Sequence, residues 1–471
     1  MPEPVNQADV VIVGAGVAGL AAAHRLTSAG VTTAVLEAAH GVGGRMSTEK
    51  IDGFRLDRIG QLLSTAYPEL RLTPGLDGLA LRPFAPGVLV HSEGHHHRAS
   101  VPPLGGGGGA GGARSALNVV RALASAPRTP RVVRPGPLPL QGAGRAAGAR
   151  GTVPRPAAPL GSPMDQARLG AALTRLATTP VERLLARPES SARSALSARG
   201  LPARTVEGFL RPLLAALLCD PELTTSSRCA DLALRAYASG RLCLPEGGAD
   251  ALPELLARTL PPGTVHTGVK VTAVSTTSVT TADHGELRCR AVLVATDAHQ
   301  AARLLPGLRV PDFHPVTVVH HTMDEPPSTG ASLLLDADRA GPVTHTAVVS
   351  LVDPTRAPAG RALVSSTVLG TPPDDVDDAV RAHLAHLFGT STRRWETLAV
   401  RHTARAVPSM RPPHDLRRPV RLLAGLYVCG DHRETSTVQG ALHSGHRAAT
   451  ALLTDLGMGP VHGTQRLSRA A

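Results

Sequence analysis

Aromatic residues are nearly missing from this chain: Phe, Tyr and Trp together make up 2% of its 471 residues. Lysine is scarcer still, present only as Lys50 and Lys270, so the net charge of +12 is carried almost wholly by arginine. A nucleic-acid surface needs basic residues clustered and interleaved with rings that stack on bases. The chain lacks those rings, and no nucleic-acid partner is expected. The arginine excess belongs to an Ala-, Gly- and Pro-rich composition of the kind GC-rich genomes produce. It leaves only a weak attraction to an anionic membrane surface.

Cysteine is also sparse. Cys219, Cys229, Cys243, Cys289 and Cys429 are odd in number, scattered and without CxxC spacing, which argues against a disulfide framework and for free or buried thiols in a reducing compartment. No apolar run approaches the roughly 18 residues that span a bilayer. The opening MPEPVNQADV lacks the basic and apolar regions of a secretory leader. A cytoplasmic location, with at most peripheral membrane contact, is the expectation. His95, His96 and His97 adjoin, but no acid or cysteine accompanies them at ligand spacing, so a solvated loop and no metal are expected.

What is present begins at Asp9. The run DVVIVGAGVAGLAAAHRLTSAGVTTAVLE, ending at Glu37, reads as an apolar strand, a glycine turn, a helix and a second strand closed by an acid. Gly14 permits the tight strand-to-helix turn, Gly16 lets backbone approach a pyrophosphate, and Gly19 lets the helix pack on the sheet. The helix N-terminus offers free N–H groups and a partial positive charge to phosphate. Glu37, with its neighbour Ala38, lies eighteen positions beyond Gly19, where a carboxylate accepts from ribose hydroxyls and repels a 2′-phosphate. GxGxxG alone is weak evidence. In register with a strand, a helix and an acid it is specific for an adenine dinucleotide.

The next run, EAAHGVGGRMST, places Gly43 and Gly44 before Arg45, a second backbone approach followed by a cation that forks onto phosphate. Here the sequence resembles the flavin amine oxidase and phytoene desaturase superfamily. The likeness continues through IDGFRLDRIGQLL (51–63), VKVTAV (269–274) and GLYVCGDHRETSTVQGALHSGHRAA (425–449). It implies non-covalent FAD, with Gly60 and Gln61 beside the flavin and Val271 giving its backbone to adenine. It further implies Gly430 and Asp431 at the pyrophosphate and ribityl region, and Gln439, Gly440 and Ala441 opening a helix beneath the isoalloxazine. Ile59 stands where the family carries a glycine before Gly60. Cys429 falls on a strand and is expected to be buried rather than linked to flavin.

From Val101 to about Pro163 the chain is dominated by Gly, Pro, Ala and Arg, including GGGGGAGG at 105–112. Such composition cannot bury enough apolar surface to order itself, and a disordered insertion at about 105–160 is expected, with at most a short helix near Ser115–Ser125. A shifted reading frame would leave the same composition. Helical spacing of leucines resumes at Met164, with helices broken at prolines. This part, with its FLRP, DPEL and TSSR stretches (209–228), resembles the plant and bacterial phytoene-dehydrogenase-like group. The segments VTVVHHTMD (316–324), HTAVVSLVD (345–353) and RALVSSTVLG (361–370) read as strands and DDVDDAVRAHLAHLFG (374–389) as a helix.

The expected fold is therefore α/β. A Rossmann-type, glutathione-reductase-like FAD domain would be assembled from 1–85, 244–308 and 419–471. A sheet-plus-helices substrate region would come from 86–243 and 309–418. The resemblance implies hydride transfer from a substrate carbon to FAD, and the choice of oxygen or a quinone as final acceptor is left open. Amine oxidases of the superfamily present an aromatic cage and a lysine near flavin N5. Only Tyr67, Tyr237 and Tyr427 are available, and both lysines fall in nucleotide segments. Desaturation of an apolar, isoprenoid-like small molecule is thus favoured over amine oxidation, with a redox-neutral isomerase or a flavin-binding protein without turnover still open. His432, Arg433 and Glu434 are expected to face solvent, and no catalytic residue is assigned.

Overall fold

The computed structural model describes residues 8–99 and 159–458. The first strand, Val10–Val13, is buried along its whole length, as a strand covered on both faces requires. It pairs in parallel with Thr33–Glu37 on one side and Ala291–Val294 on the other. The complete sheet runs Val265–Thr267, Thr33–Glu37, Val10–Val13, Ala291–Val294, Leu426–Val428, Arg421–Leu423. All its neighbours are parallel except the last pair, a hairpin. Helix Val17–Ser28 and the C-terminal helix Val438–Asp455 cover one face, and an antiparallel meander of Val271–Val274, Ser278–Thr281 and Glu286–Arg288 covers the other. The two helices touch backbone to backbone: a Cβ on Gly445 would lie 2.2 Å from the Ala18 carbonyl oxygen.

A second, seven-stranded sheet has the order Glu396–Pro408, Phe313–Met323, Ala362–Leu369, Val343–Val348, Leu334–Asp336, Val88–Ser92, His95–Ala99. Helices between Pro163 and Ser239 pack against it around Phe209, Leu213, Leu234 and Leu363. Helix Pro163–Thr178 starts on a capping box of Ser162 and Asp165, which satisfies two otherwise orphaned N–H groups. Arg356, 2% exposed, ties strand Phe54–Asp57 and strand Leu242–Pro245 to Asp353 at the end of helix Val349–Val352. Its guanidinium reaches Asp57 at 2.5 Å, Asp353 at 3.2 Å and the Pro245 carbonyl at 3.0 Å.

Several local expectations need correction. His95–His97 lie on a strand, not in a loop, because each finds a partner on Val88–Ser92. The stretch 345–353 is a strand only to Val348 and then turns into the short helix Val349–Val352. Proline does not break the helix at Pro212: the chain stays helical from Ala203 to Leu218, passing through a π turn at Val206–Leu210. A wider turn before the proline accommodates its ring and its missing N–H. The expected insertion and its short helix lie outside the described residues, apart from Pro159 and Leu160, and Leu160 is buried in the helical core. No helix among the described residues is long and apolar enough to cross a membrane.

Candidate functional site

The main cleft opens where the parallel strands end. Gly14, at φ +107°, turns the first strand into the first helix, and a Cβ there would stand 3.0 Å from the Ala295 carbonyl oxygen. Gly16 follows in extended conformation with nothing within 4 Å of a would-be Cβ. It caps the helix without a side-chain hydrogen bond, and no acid occupies the first turn. The first N–H groups are therefore directed at open space, as an anion site requires. Gly19 faces the turn itself, since a Cβ would meet the Gly14 carbonyl oxygen at 2.2 Å.

Glu37 ends the second strand and is held in place by backbone. Its carboxylate accepts from Ala15 N at 2.8 Å and Ala39 N at 3.0 Å. Gly43 bridges to Gly16, donating to the Ala15 carbonyl at 2.9 Å, and both Gly43 and Gly44 have positive φ. The cleft, about 460 Å³, is lined by Gly14, Gly16, Glu37, Ala38, Gly43, Gly44, Arg45, Gln61, Val271, Gly430, Asp431 and Ala441 among others. That volume falls within the roughly 300–1,000 Å³ of small-molecule sites.

Four expected residues stand back from it. Gly19 shapes the turn. Gly60 approaches Thr367, whose Oγ1 would lie 3.6 Å from a Cβ. Gln439 accepts from Glu69 N at 3.0 Å, and Gly440 donates to Thr437 Oγ1 at 3.2 Å, making Thr437 the N-cap of the C-terminal helix. Arg45, expected to fork onto phosphate, lines the cleft and donates to Asp431 at 2.7 Å and to the Ala406 carbonyl at 2.8 Å. Burial works against its charge, but the Asp431 carboxylate outweighs it and holds the guanidinium above its usual range.

His432, Arg433 and Glu434 do not face solvent; all three are buried, because a short 3-10 turn at Asp431–Arg433 folds them beneath the C-terminal helix. Burial pushes His432 down to about 4 and raises the Glu434 carboxyl despite its pairing with Arg447. Other cleft residues were not anticipated. Lys270, Thr296, Asp297, Gln300 and Ala406 also line the space. Asp297 has a sequence signal, an Asp before a helical run, and it caps helix Ala298–Leu304 through His299 N and Gln300 N. Ala406 has none, since it acts through its carbonyl. Ile59, in place of the family's glycine, is buried against Val316, Val318 and Ala406 and also lines the cleft.

A second cavity, about 150 Å³, shares Thr437 with the first. Its wall is mainly apolar and includes Leu72, Leu185, Leu218, Leu232 and Tyr67. Two acids line it. Glu69 accepts from His443 Nδ1 at 3.0 Å and lies 3.5 Å from His446 Nδ1, while Glu434 is paired with Arg447.

The model of the family described as flavin containing amine oxidoreductase matches residues 17–453. Putrescine oxidase from Kocuria rosea is 50% identical over 68 residues, 14% of this chain and 14% of that protein. Protoporphyrinogen oxidase 2 from Arabidopsis thaliana is 40% identical over 80 residues, 17% of this chain and 15% of that protein. Among solved structures, an oxidoreductase from Methanosarcina mazei superposes with a TM-score of 0.67 at 16% identity, covering 93% of this chain and 99% of that one. A putrescine oxidase bound to putrescine gives 0.60 at 19% identity, covering 96% and 100%. The cofactor is FAD, and the uncapped helix, the ribose-side acid and the glycine-lined turns suit such a dinucleotide. The chain belongs to the flavin-containing amine oxidoreductases, a family of oxidoreductase enzymes.

Proposed function

We propose that this enzyme uses non-covalent FAD to take a hydride from a carbon of an apolar small molecule, desaturating an isoprenoid-like, carotenoid-like or other natural-product chain. The observation that carries the reading is the second cavity. Its wall is mainly apolar, and both of its acids already have basic partners, while Arg235 and Arg417 also line it. A substrate ammonium would meet those arginines and no unpaired carboxylate among the described lining residues. An apolar chain gains about 25 cal/mol per Å² on leaving water.

In this reading the segments 1–85, 244–308 and 419–471 form the FAD domain, and 86–243 with 309–418 surround the substrate. Gly14, Gly16, Gly43 and Gly44 would admit the pyrophosphate to the uncapped helix, Glu37 and Ala38 would hold the ribose, and Val271 the adenine. Gly430, Asp431 and Arg45 would flank the ribityl chain, with Gln61 and Ala441 toward the ring. Gly19, Gly60, Gln439 and Gly440 shape those positions from behind. Bound FAD supplies a two-electron acceptor, and the protein supplies orientation and exclusion of water. The terminal acceptor is oxygen or a quinone. Cys429 is fully buried and its thiol is pushed up to about 12, which leaves no thiolate for a covalent link.

Amine oxidation is the second reading, favoured by the local identity to putrescine oxidase. Anaerobic mixing of the FAD-loaded protein with a polyene, a prenyl chain and a panel of amines including putrescine separates the two. Bleaching of the flavin by the apolar compounds and not by amines is expected. The reverse overturns the proposal. No bleaching by either, with flavin retained, points to redox-neutral isomerisation or to binding without turnover.

A further inference from the structure

Away from the cleft, the second sheet and the helix laid over it gather four histidines and two acids. Strand Val88–Ser92 lies between Leu334–Asp336 and His95–Ala99, and its His91 is the register partner of Asp336 on one side and His96 on the other. Cross-strand partners share a face of the sheet. Helix Val376–Phe388 packs over that face. It brings His383 Nε2 to 3.3 Å from Asp336 and the His386 ring to 4.7 Å from the His91 ring.

His91 is the anomaly in this cluster. It is 2% exposed, and its Nδ1 has no hydrogen-bond partner among the described residues. The nearest acid, Asp338, is 3.7 Å away, beyond hydrogen-bond reach. A buried imidazole nitrogen without a partner is costly unless something else uses its lone pair. The acids are already aimed: Asp336 accepts from Asp338 N and Ala340 N, both at 3.0 Å, and Asp338 accepts from Glu93 N at 2.7 Å and Ser92 Oγ at 3.0 Å. One ligand atom each from His91, Asp336 and Asp338 lies within 4.8 Å of the other two.

We propose that His91 Nδ1, Asp336 and Asp338 bind one divalent zinc ion, with a fourth position left to water on the solvent side of Asp338. An imidazole with two carboxylates suits Zn²⁺ and disfavours Mg²⁺ and Ca²⁺, which prefer all-oxygen sites. Ligands about 2.0–2.2 Å from a tetrahedral metal lie roughly 3.4 Å apart, so the three ligand atoms, which lie within 4.8 Å of one another, would close by up to about 1.4 Å. The ion would clamp strands Val88–Ser92 and Leu334–Asp336 to each other at the sheet margin and have no part in the flavin chemistry, since none of the three lines the cleft or the cavity beside it. The sequence concealed this site because the acids lie far along the chain from the histidines.

Tag-free, FAD-loaded protein stripped with chelator and titrated calorimetrically with ZnCl₂ tests the proposal. One zinc per chain is expected, with Asp338→Asn, a change at the surface, and His91→Gln each weakening it at least tenfold. The double variant His95→Ala/His97→Ala, which removes the two imidazoles of strand His95–Ala99 that are not paired with His91, should bind as the parent does, and MgCl₂ should not compete. Flavin content should stay constant throughout, and zinc should raise the melting temperature of the parent but not of Asp338→Asn. Absence of stoichiometric uptake overturns the proposal. So does uptake that survives Asp338→Asn but disappears with His95 and His97.

Discussion

Glu37 has its two carboxylate oxygens spoken for by Ala15 N and Ala39 N, yet each oxygen keeps a further lone pair for a ribose hydroxyl. Glu37→Ala should therefore weaken FAD retention by about 1–3 kcal/mol, two hydrogen bonds at roughly 0.5–1.5 kcal/mol each. Flavin content after gel filtration and the dissociation constant of refilled protein measure it, and unchanged values would mean the ribose acid is misassigned. Arg356 offers a sharper contrast. Removing it strands two carboxylates, Asp57 and Asp353, that are mostly buried, so Arg356→Met should cost about 3–5 kcal/mol in denaturant unfolding. Arg401→Met, which breaks a surface pair with Glu49, should cost about 1 kcal/mol or less. Glu69 marks the acid limit. Burial raises its affinity for a proton, but hydrogen bonds from His443 and His446 outweigh burial and bring the carboxyl down to about 2. A folded pKa below the unfolded one gives stability that is complete above about pH 4.5 and is lost as pH falls toward 2, worth no more than about 3 kcal/mol. In Glu69→Gln the unfolding midpoint should change less with pH across that window.

At the scale of elements, the contact between the first and last helices is the tightest test of packing. Gly445→Ala places a methyl against the Ala18 carbonyl, where a Cβ has only 2.2 Å, and should destabilise by about 1–3 kcal/mol. Gly41→Ala, with nothing within 4 Å of its Cβ, should leave the melting temperature almost unchanged. These elements also divide what was legible from what was not. The strand, helix and strand of Val10–Glu37 announce themselves because their signals are local: apolar runs, a glycine turn and an acid at fixed spacing. The helix at Val376–Phe388 was equally readable from its acidic first turn and its leucines. Arg356 between Asp57 and Asp353, the Ala406 carbonyl under Arg45, and His91 beside Asp336 depend on pairings between distant segments, which no local period encodes. The solvent-facing position expected of His432–Glu434 fails for a related reason. Their burial is decided by the helix that folds back over them, not by their own polarity.

For the molecule as a whole, histidine sets the acid tolerance. His320, His345 and His432 are buried, and burial pushes each down to about 4. Between about pH 6.5 and 4 the unfolded chain takes up protons that the folded chain refuses, so stability rises with pH across that interval and is lost as pH falls through it. Unfolding midpoints from pH 7 to 4 should decline steadily, and His345→Gln should reduce the slope; a flat profile would show that these rings are already protonated in the fold.

The six-stranded sheet places Val10 beside Ala291, and Val292 beside Leu426. A ribosome delivers residues in order, at roughly 5–20 per second, so the first strand leaves it tens of seconds before its last sheet-mates are made. Until Ala291–Val294 emerges, the apolar edge of Val10–Val13 has no neighbour on that side and is open to wrong pairing. Flavin capture must accordingly come late in synthesis. Nascent chains arrested before Gly430 should hold none, and the yield of active enzyme should depend on chaperones that shelter the waiting amino-terminal unit.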